Sequence, residues 1–306
     1  MDNCTDIGPG CSVEDTIYGY YPNLGSSVFF IAIFALIALI QLGLGFKKRT
    51  YFYSIAIALG CIGEAIGYGG RLMMHDNPYS DIGFKIQISC LIVAPAFVAA
   101  GIYLTLKHLI LAFGQERSYF QARFYTWIFI TCDVISLTLQ GIGGGFAGGA
   151  GDDEKLRDLG TNLMISGIVQ QVATLIAFAY LVTDYAVRTR FAWEAVDPEA
   201  KALLAQRKFK GFLAAVMIAY WTVFFRCVYR IAEMVGGWAN PIMRDEISFI
   251  IMEGVMIVVA VLVMTLFHPG YCFPRKASLV KTGSIEYTGS DRVAQHGQEK
   301  ISSSAM

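Results

Sequence analysis

Seven charged side chains lie within or at the edge of long apolar stretches of this 306-residue chain: Glu64, Arg71, Asp133, Arg226, Arg230, Glu233 and Glu253. Gln140, Gln170 and Gln171 join them. The spacing is helical. Glu64, Tyr68 and Arg71 fall at i, i+4 and i+7 and share a helix face, and Arg226, Arg230 and Glu233 share another. Charges are costly in hydrocarbon, so such residues mark a candidate functional site. They fit an ion-pair network that fixes helix register, or the same network lining a polar cavity. Four carboxylates against three guanidiniums leave one formal negative charge in excess, which burial removes if one carboxyl keeps its proton. The carboxylates could receive the amine of a cationic amphiphile, and the guanidiniums suit a carboxylate or phosphate headgroup.

The elements that must position these groups are membrane-spanning helices. Hydrophobic residues make up 55% of the chain and charged residues 16%, with a mean hydropathy of +0.52. A soluble domain is nearer a quarter charged. Seven stretches are long enough to cross a hydrocarbon core of about 30 Å: residues 25–46, 51–73, 85–106, 124–146, 159–184, 210–234 and 247–267. Backbone in lipid must satisfy its own hydrogen bonds, so each is read as a helix. The expected fold is an all-α bundle of seven transmembrane helices over 25–267, with tails at 1–24 and 268–306. Lys and Arg number 17 in the odd-numbered loops and the C-terminal tail, against 4 on the other side. That bias places the N-terminus outside and the C-terminus in the cytosol. At about 1.5 Å per residue, Glu64 and Arg226 lie roughly 14 Å from the outer helix ends. Arg71 and Glu233 are expected near the outer surface, and Asp133 nearer mid-bilayer.

Asn3-Cys4-Thr5 is an N-glycosylation sequon, meaningful if the tail is extracellular, and Cys4 and Cys11 are a candidate disulfide pair in that oxidising space. Cys272, just past the last span, is a palmitoylation candidate. Gly141 to Gly151 reads as a glycine-rich exit from the fourth span into a mobile outer loop. Asp197-Pro198-Glu199 reads as a helix start, with a helix from Glu199 to Lys210 running straight into the sixth span. In the second span, Gly60, Gly63 and Gly67 form a small-residue packing face. The tail from about 275 is polar and reads as disordered.

Several chemistries are excluded. There is no nucleotide phosphate loop. The histidines (75, 108, 268 and 296) all fall at helix ends or in loops, which does not suit an intramembrane zinc site. The seventh span has no lysine for a retinal Schiff base. No serine or cysteine nucleophile is paired with a base. No enzyme activity, metal, cofactor or nucleic-acid partner is expected; the expected partners are membrane lipids or other amphiphiles.

The motifs resemble those of the fungal RTA-like, lipid-translocating exporter family. Glu64-x-x-Gly67-Tyr68-x-x-Arg71 is similar to its second-helix signature, and Ala94-Pro95-Ala96-Phe97 with Tyr103 to its third. Asp133-x-x-Ser136-x-x-x-Gln140 with Gly143-Gly144 resembles the fourth, and Gly160, Gly167 and Gln170 the fifth. Arg226-x-x-Tyr229-Arg230-x-x-Glu233 resembles the sixth, while Glu246 and His268-Pro269-Gly270 bracket the seventh. Phe249 and Glu253 depart from the family pattern of Tyr and Asp. The resemblance implies a plasma-membrane or vacuolar protein that exports sphingoid long-chain bases or confers resistance to toxic lipids, porphyrin handling being a further family role. A seven-helix lipid receptor, or a regulator of other lipid transporters, is the rival. The candidate pathway residues are Glu64, Tyr68, Arg71, Asp133, Gln140, Gln170, Arg226, Tyr229, Arg230, Glu233 and Glu253.

Overall fold

The computed structural model describes residues 4, 6–8, 11–114, 118, 121–151, 153–237 and 240–272. Asn3 of the sequon and the tail expected to be disordered lie outside these residues. Seven helices are long and apolar enough to cross a membrane: α1 (Leu24–Lys48), α2 (Tyr51–Asp76), α3 (Asp81–Phe113), α4 (Ala122–Gly149), α5 (Glu154–Phe191), α6 (Arg207–Val235) and α7, which begins at Glu246 and continues to Leu266. Among the described residues there is no β-strand. The helices outrun the apolar stretches that announce them. The 38 residues of α5 make a rod of about 57 Å, because charged flanks such as Glu154 and Arg188 carry on the helix beyond hydrocarbon.

α1, α3, α5 and α7 start at the end of the bundle that carries the N-terminal segment. Each has a side-chain N-cap there: Asn23, Ser80, Asp153 and Asp245 accept from backbone N–H groups of the first turn. The three helices that start at the opposite end have no such cap bond. α2 packs on α1 and α3, α4 on α5 and α3, and α6 on α7. The outward faces are apolar, with Phe52, Leu39 and Trp127 exposed, whereas the interior contains fully buried Glu64, Arg71, Glu233 and Glu253. A soluble protein has the reverse arrangement.

Close approach is set by small residues. A Cβ on Gly60, Gly63 or Gly67 would collide with α3 at Val98, Ala94 or Leu91, so the second-span glycines do form a packing face. The glycine-rich exit of the fourth span is corrected: residues 141–149 are helical and part of α4. Their function is contact, since a Cβ on Gly143 would lie 2.5 Å from the Gly160 carbonyl oxygen of α5. The helix expected over Glu199 to Lys210 is also not continuous. A short helix, Pro198–Ala205, ends at Gln206, whose extended backbone (φ −71°, ψ 129°) caps both it and α6. That bend lets Ala200 and Leu203 tuck into the interior.

α7 contains a π turn over Ile250–Val255, preceded by Glu246–Phe249 and followed by regular α-helix from Met256. Gly254 in this turn lets α7 approach α1 and α2, because a Cβ there would strike the Phe30 ring and come within 2.6 Å of the Tyr68 hydroxyl.

The N-terminal segment is strapped across its end of the bundle. Cys4 and Cys11 are joined by a disulfide. The Tyr79 hydroxyl donates to the Ser12 carbonyl at 2.6 Å, Arg244 to the Glu14 carbonyl at 3.2 Å, and Gln87 to the Tyr18 hydroxyl at 2.8 Å. At the opposite end, Gln41 donates to Thr265 at 2.8 Å and Ser54 bonds buried His268 at 3.0 Å, tying α1 and α2 to α7 and its exit. Cys272 is buried there, with its thiol on the Lys208 carbonyl, so it is not presented for palmitoylation.

Candidate functional site

Eight of the eleven candidate residues form one cluster between α2, α6 and α7. Arg226 pairs with Glu253 at 2.5 Å and donates to the Leu91 carbonyl of α3. Arg230 pairs with Glu233 at 2.6 Å and with the other Glu253 oxygen at 2.9 Å. Glu253 thus receives both arginines of α6, and the π turn is the segment that presents it. Tyr229 sits on the rim of this network, beside Glu233 and Glu253.

Glu64 faces the same network, with Arg226, Glu253 and Arg230 as its charged neighbours. It makes no ion pair, and neither carboxylate oxygen has a hydrogen-bond partner within the protein. Tyr68, one turn along, stacks on Phe30 with ring centroids 4.7 Å apart. Buried polar atoms seldom go without partners, and carboxylates least of all.

Arg71 lies at the end of the cluster. It was expected near the surface, and so was Glu233, yet both are fully buried. The reason is the N-terminal segment. Arg71 donates to the Tyr20 hydroxyl at 3.0 Å and to Glu246 at 2.9 Å, and its guanidinium lies over the Phe249 ring at 4.2 Å. The backbone N–H of Asn23 donates to the same Glu246 oxygen at 2.7 Å. Burial pushes the Tyr18 and Tyr20 hydroxyls above their ordinary range, so both stay neutral partners for the cation beside them. At this end the N-terminal segment therefore covers the polar network that the sequence allowed to line a cavity. Tyr18, Tyr20 and Gln87 are site residues that sequence reasoning missed, because no periodicity marks the first two as part of the bundle.

Three candidates stand elsewhere. Asp133 is on α4, with the Tyr103 hydroxyl of α3 and Cys227 of α6 as neighbours. It is 4% exposed, and no well-aligned hydrogen bond reaches either oxygen. Gln140 and Gln170 belong to the α4–α5 seam. Gln140 donates to Ser136 at 2.9 Å and to Gln171 at 3.4 Å, Ser136 donates to the Gly167 carbonyl at 2.6 Å, and Gln170 reaches the Cys132 carbonyl at 3.4 Å. Among the described residues no group of three or more His, Cys, Asp or Glu could hold a metal ion.

Arginines thus neutralise Glu233, Glu246 and Glu253, while Glu64 and Asp133 are left as buried carboxylates with no ion pair. The arrangement can accept positive charge from inside an otherwise lipid-facing bundle.

Residues 57–276 match the family described as RTA1 like protein. The chain is 30% identical over 295 residues to the sphingoid long-chain base transporter RSB1 of Saccharomyces cerevisiae, covering 87% of this chain and 77% of that protein. Protoporphyrin uptake protein 1 of the same organism is 30% identical over 236 residues, covering 76% of this chain and 73% of the relative. Protein RTM1, also from that yeast, is 27% identical, covering 74% and 72%. No solved structure matches the chain.

Proposed function

The chain belongs to the RTA1-like family of multi-pass membrane proteins, and on that premise we propose that it moves amine-headed amphiphiles of the sphingoid long-chain base class, without enzymatic chemistry. The observation that supports this reading is the pair of buried carboxylates, Glu64 and Asp133, that make no ion pair and whose oxygens have no well-aligned hydrogen-bond partner. An ammonium group supplies what each lacks, and the hydrocarbon tail stays in lipid throughout. One relative points the same way, being named a sphingoid long-chain base transporter. The charge bias of the loops supports an N-terminal segment on the outside, which puts the ion-pair cluster in the outer half of the bundle. The plasma membrane is the proposed site, in keeping with protection from toxic lipids. With no nucleotide phosphate loop, the movement follows a lipid or ion gradient.

A second reading is favoured by the strapped N-terminal segment. A ligand that displaces Tyr20 from Arg71 would reshape the extracellular end, which suits a lipid sensor. Reconstitution separates the two. In liposomes carrying a fluorescent long-chain base, the transporter reading expects the purified protein to speed transbilayer movement, and Glu64→Gln to slow it at least tenfold. If the wild type binds the base but moves none, the sensor reading stands and the transporter reading falls.

A further inference from the structure

We propose that Asp133 and the apolar groove between α3, α5 and α6 form a binding site for a long-chain primary amine, with the ammonium on the carboxylate and part of the chain in the groove. The inference rests on the transporter reading and gives it a second station, distinct from the ion-pair cluster. The groove encloses about 120 Å³ and is lined by Ile102, Phe178, Leu213, Met217, Tyr220 and Trp221, among others. No charged residue lines it, and the Tyr220 hydroxyl is committed to the Leu175 carbonyl at 3.1 Å. The volume suits a short stretch of chain. Met217 and Trp221 are half exposed on the lipid-facing side, so the rest of a chain can remain in hydrocarbon.

Two walls of the groove lead to Asp133. On α6, Cys227 lies two turns beyond Tyr220 on the same face, about 10 Å along the axis, and it is a neighbour of Asp133. On α3, Tyr103 follows groove-lining Ile102, and its hydroxyl faces the carboxylate. Between groove and carboxylate stand three rings. Tyr103 packs on Phe178 at 4.8 Å and on Phe129 at 5.3 Å, and Phe129 sits one turn from Asp133 on α4. Phe129 and Phe178 meet edge to face at 5.2 Å. Rotation of these side chains opens the way from the groove to the carboxylate.

Charge complementarity sets the ligand class. Glu64 has two arginines among its neighbours, whereas the interactions of Asp133 involve Tyr103 and Cys227 and no cation. An anionic headgroup would find no cation at Asp133. A cation would gain the pairing that a buried carboxylate requires.

The test uses the full-length protein in lipid nanodiscs, with octadecylamine carrying a photoreactive diazirine on its chain and the matching octadecanol. In the wild type the amine should label α3, α5 and α6 around Phe178 and Tyr220 at least fivefold more than the alcohol, and unlabelled octadecylamine should compete. Asp133→Asn should bring amine labelling down to the alcohol's level, and Val216→Trp, which fills the groove, should remove both. Equal labelling by amine and alcohol in the wild type overturns the proposal without recourse to any variant, as does labelling confined to other helices. Loss of transport in Glu64→Gln with groove labelling intact supports the second station. Vigorous transport with no groove labelling overturns it and leaves the transporter reading in place.

Discussion

The two polar seams of the bundle satisfy their buried groups in different ways. Between α2, α6 and α7 the currency is full charge, and each arginine is held by carboxylates from elsewhere in the sequence: Arg226 by Glu253, and Arg71 by Glu246. Between α4 and α5 the groups are amides, hydroxyls and carbonyls, and glycines bring the backbones into contact. A neutral hydrogen-bonded seam that loses one member leaves a dipole unpaired. A charged seam that loses one member leaves an ion in a low-dielectric interior, at several times the cost. The first seam therefore stores its specificity in partners, and the second in shape.

Three substitutions test that contrast, and thermal or denaturant unfolding in detergent reads all of them. Arg230→Leu strands Glu233 and leaves Glu253 with Arg226 alone, and should cost about 3–5 kcal/mol, the largest effect of the three. Gly160→Val drives a side chain into the α4 backbone at Ala147 and Gly143 and should cost about 1–3 kcal/mol through overpacking. Gln140→Leu should cost the least, about 0.6 kcal/mol, the average for interhelical hydrogen bonds in membranes. If Gln140→Leu proves as damaging as Arg230→Leu, the division into a charged and a neutral seam is wrong. If Gly160→Val is silent, α4 and α5 do not depend on close contact.

Much of this architecture is legible in the sequence, because hydrophobic length is a local property. Each apolar stretch marks one helix, although α3 and α5 extend well past theirs where polar residues continue the helix outside lipid. The grouping of Glu64, Arg226, Arg230, Glu233 and Glu253 is foreshadowed by their helical spacing and by their common placement toward one end of the spans. Which carboxylate meets which arginine is not, since that depends on helix rotation and on the π turn. A π turn adds one residue to a helical circuit without changing composition, and the Gly254 contact that accommodates it involves Phe30 and Tyr68 on two other helices. The cover over Arg71 is hidden for a related reason: Tyr18 and Tyr20 lie in an irregular segment whose register no periodicity reports. Gln140 and Gln170 share the charged residues' chemistry on paper, and it is the α4–α5 packing that sets them apart.

The π turn has a mechanical consequence. It holds one residue more than the α-helical path needs. Were the segment to anneal to α geometry, everything on one side of it would screw by about 100° relative to the other. Glu253 would leave the arginines of α6, Gly254 would swing away from Tyr68, and Thr265 would turn from Gln41. The ion pairs on Glu253 therefore hold the seventh helix in the register that the π turn sets.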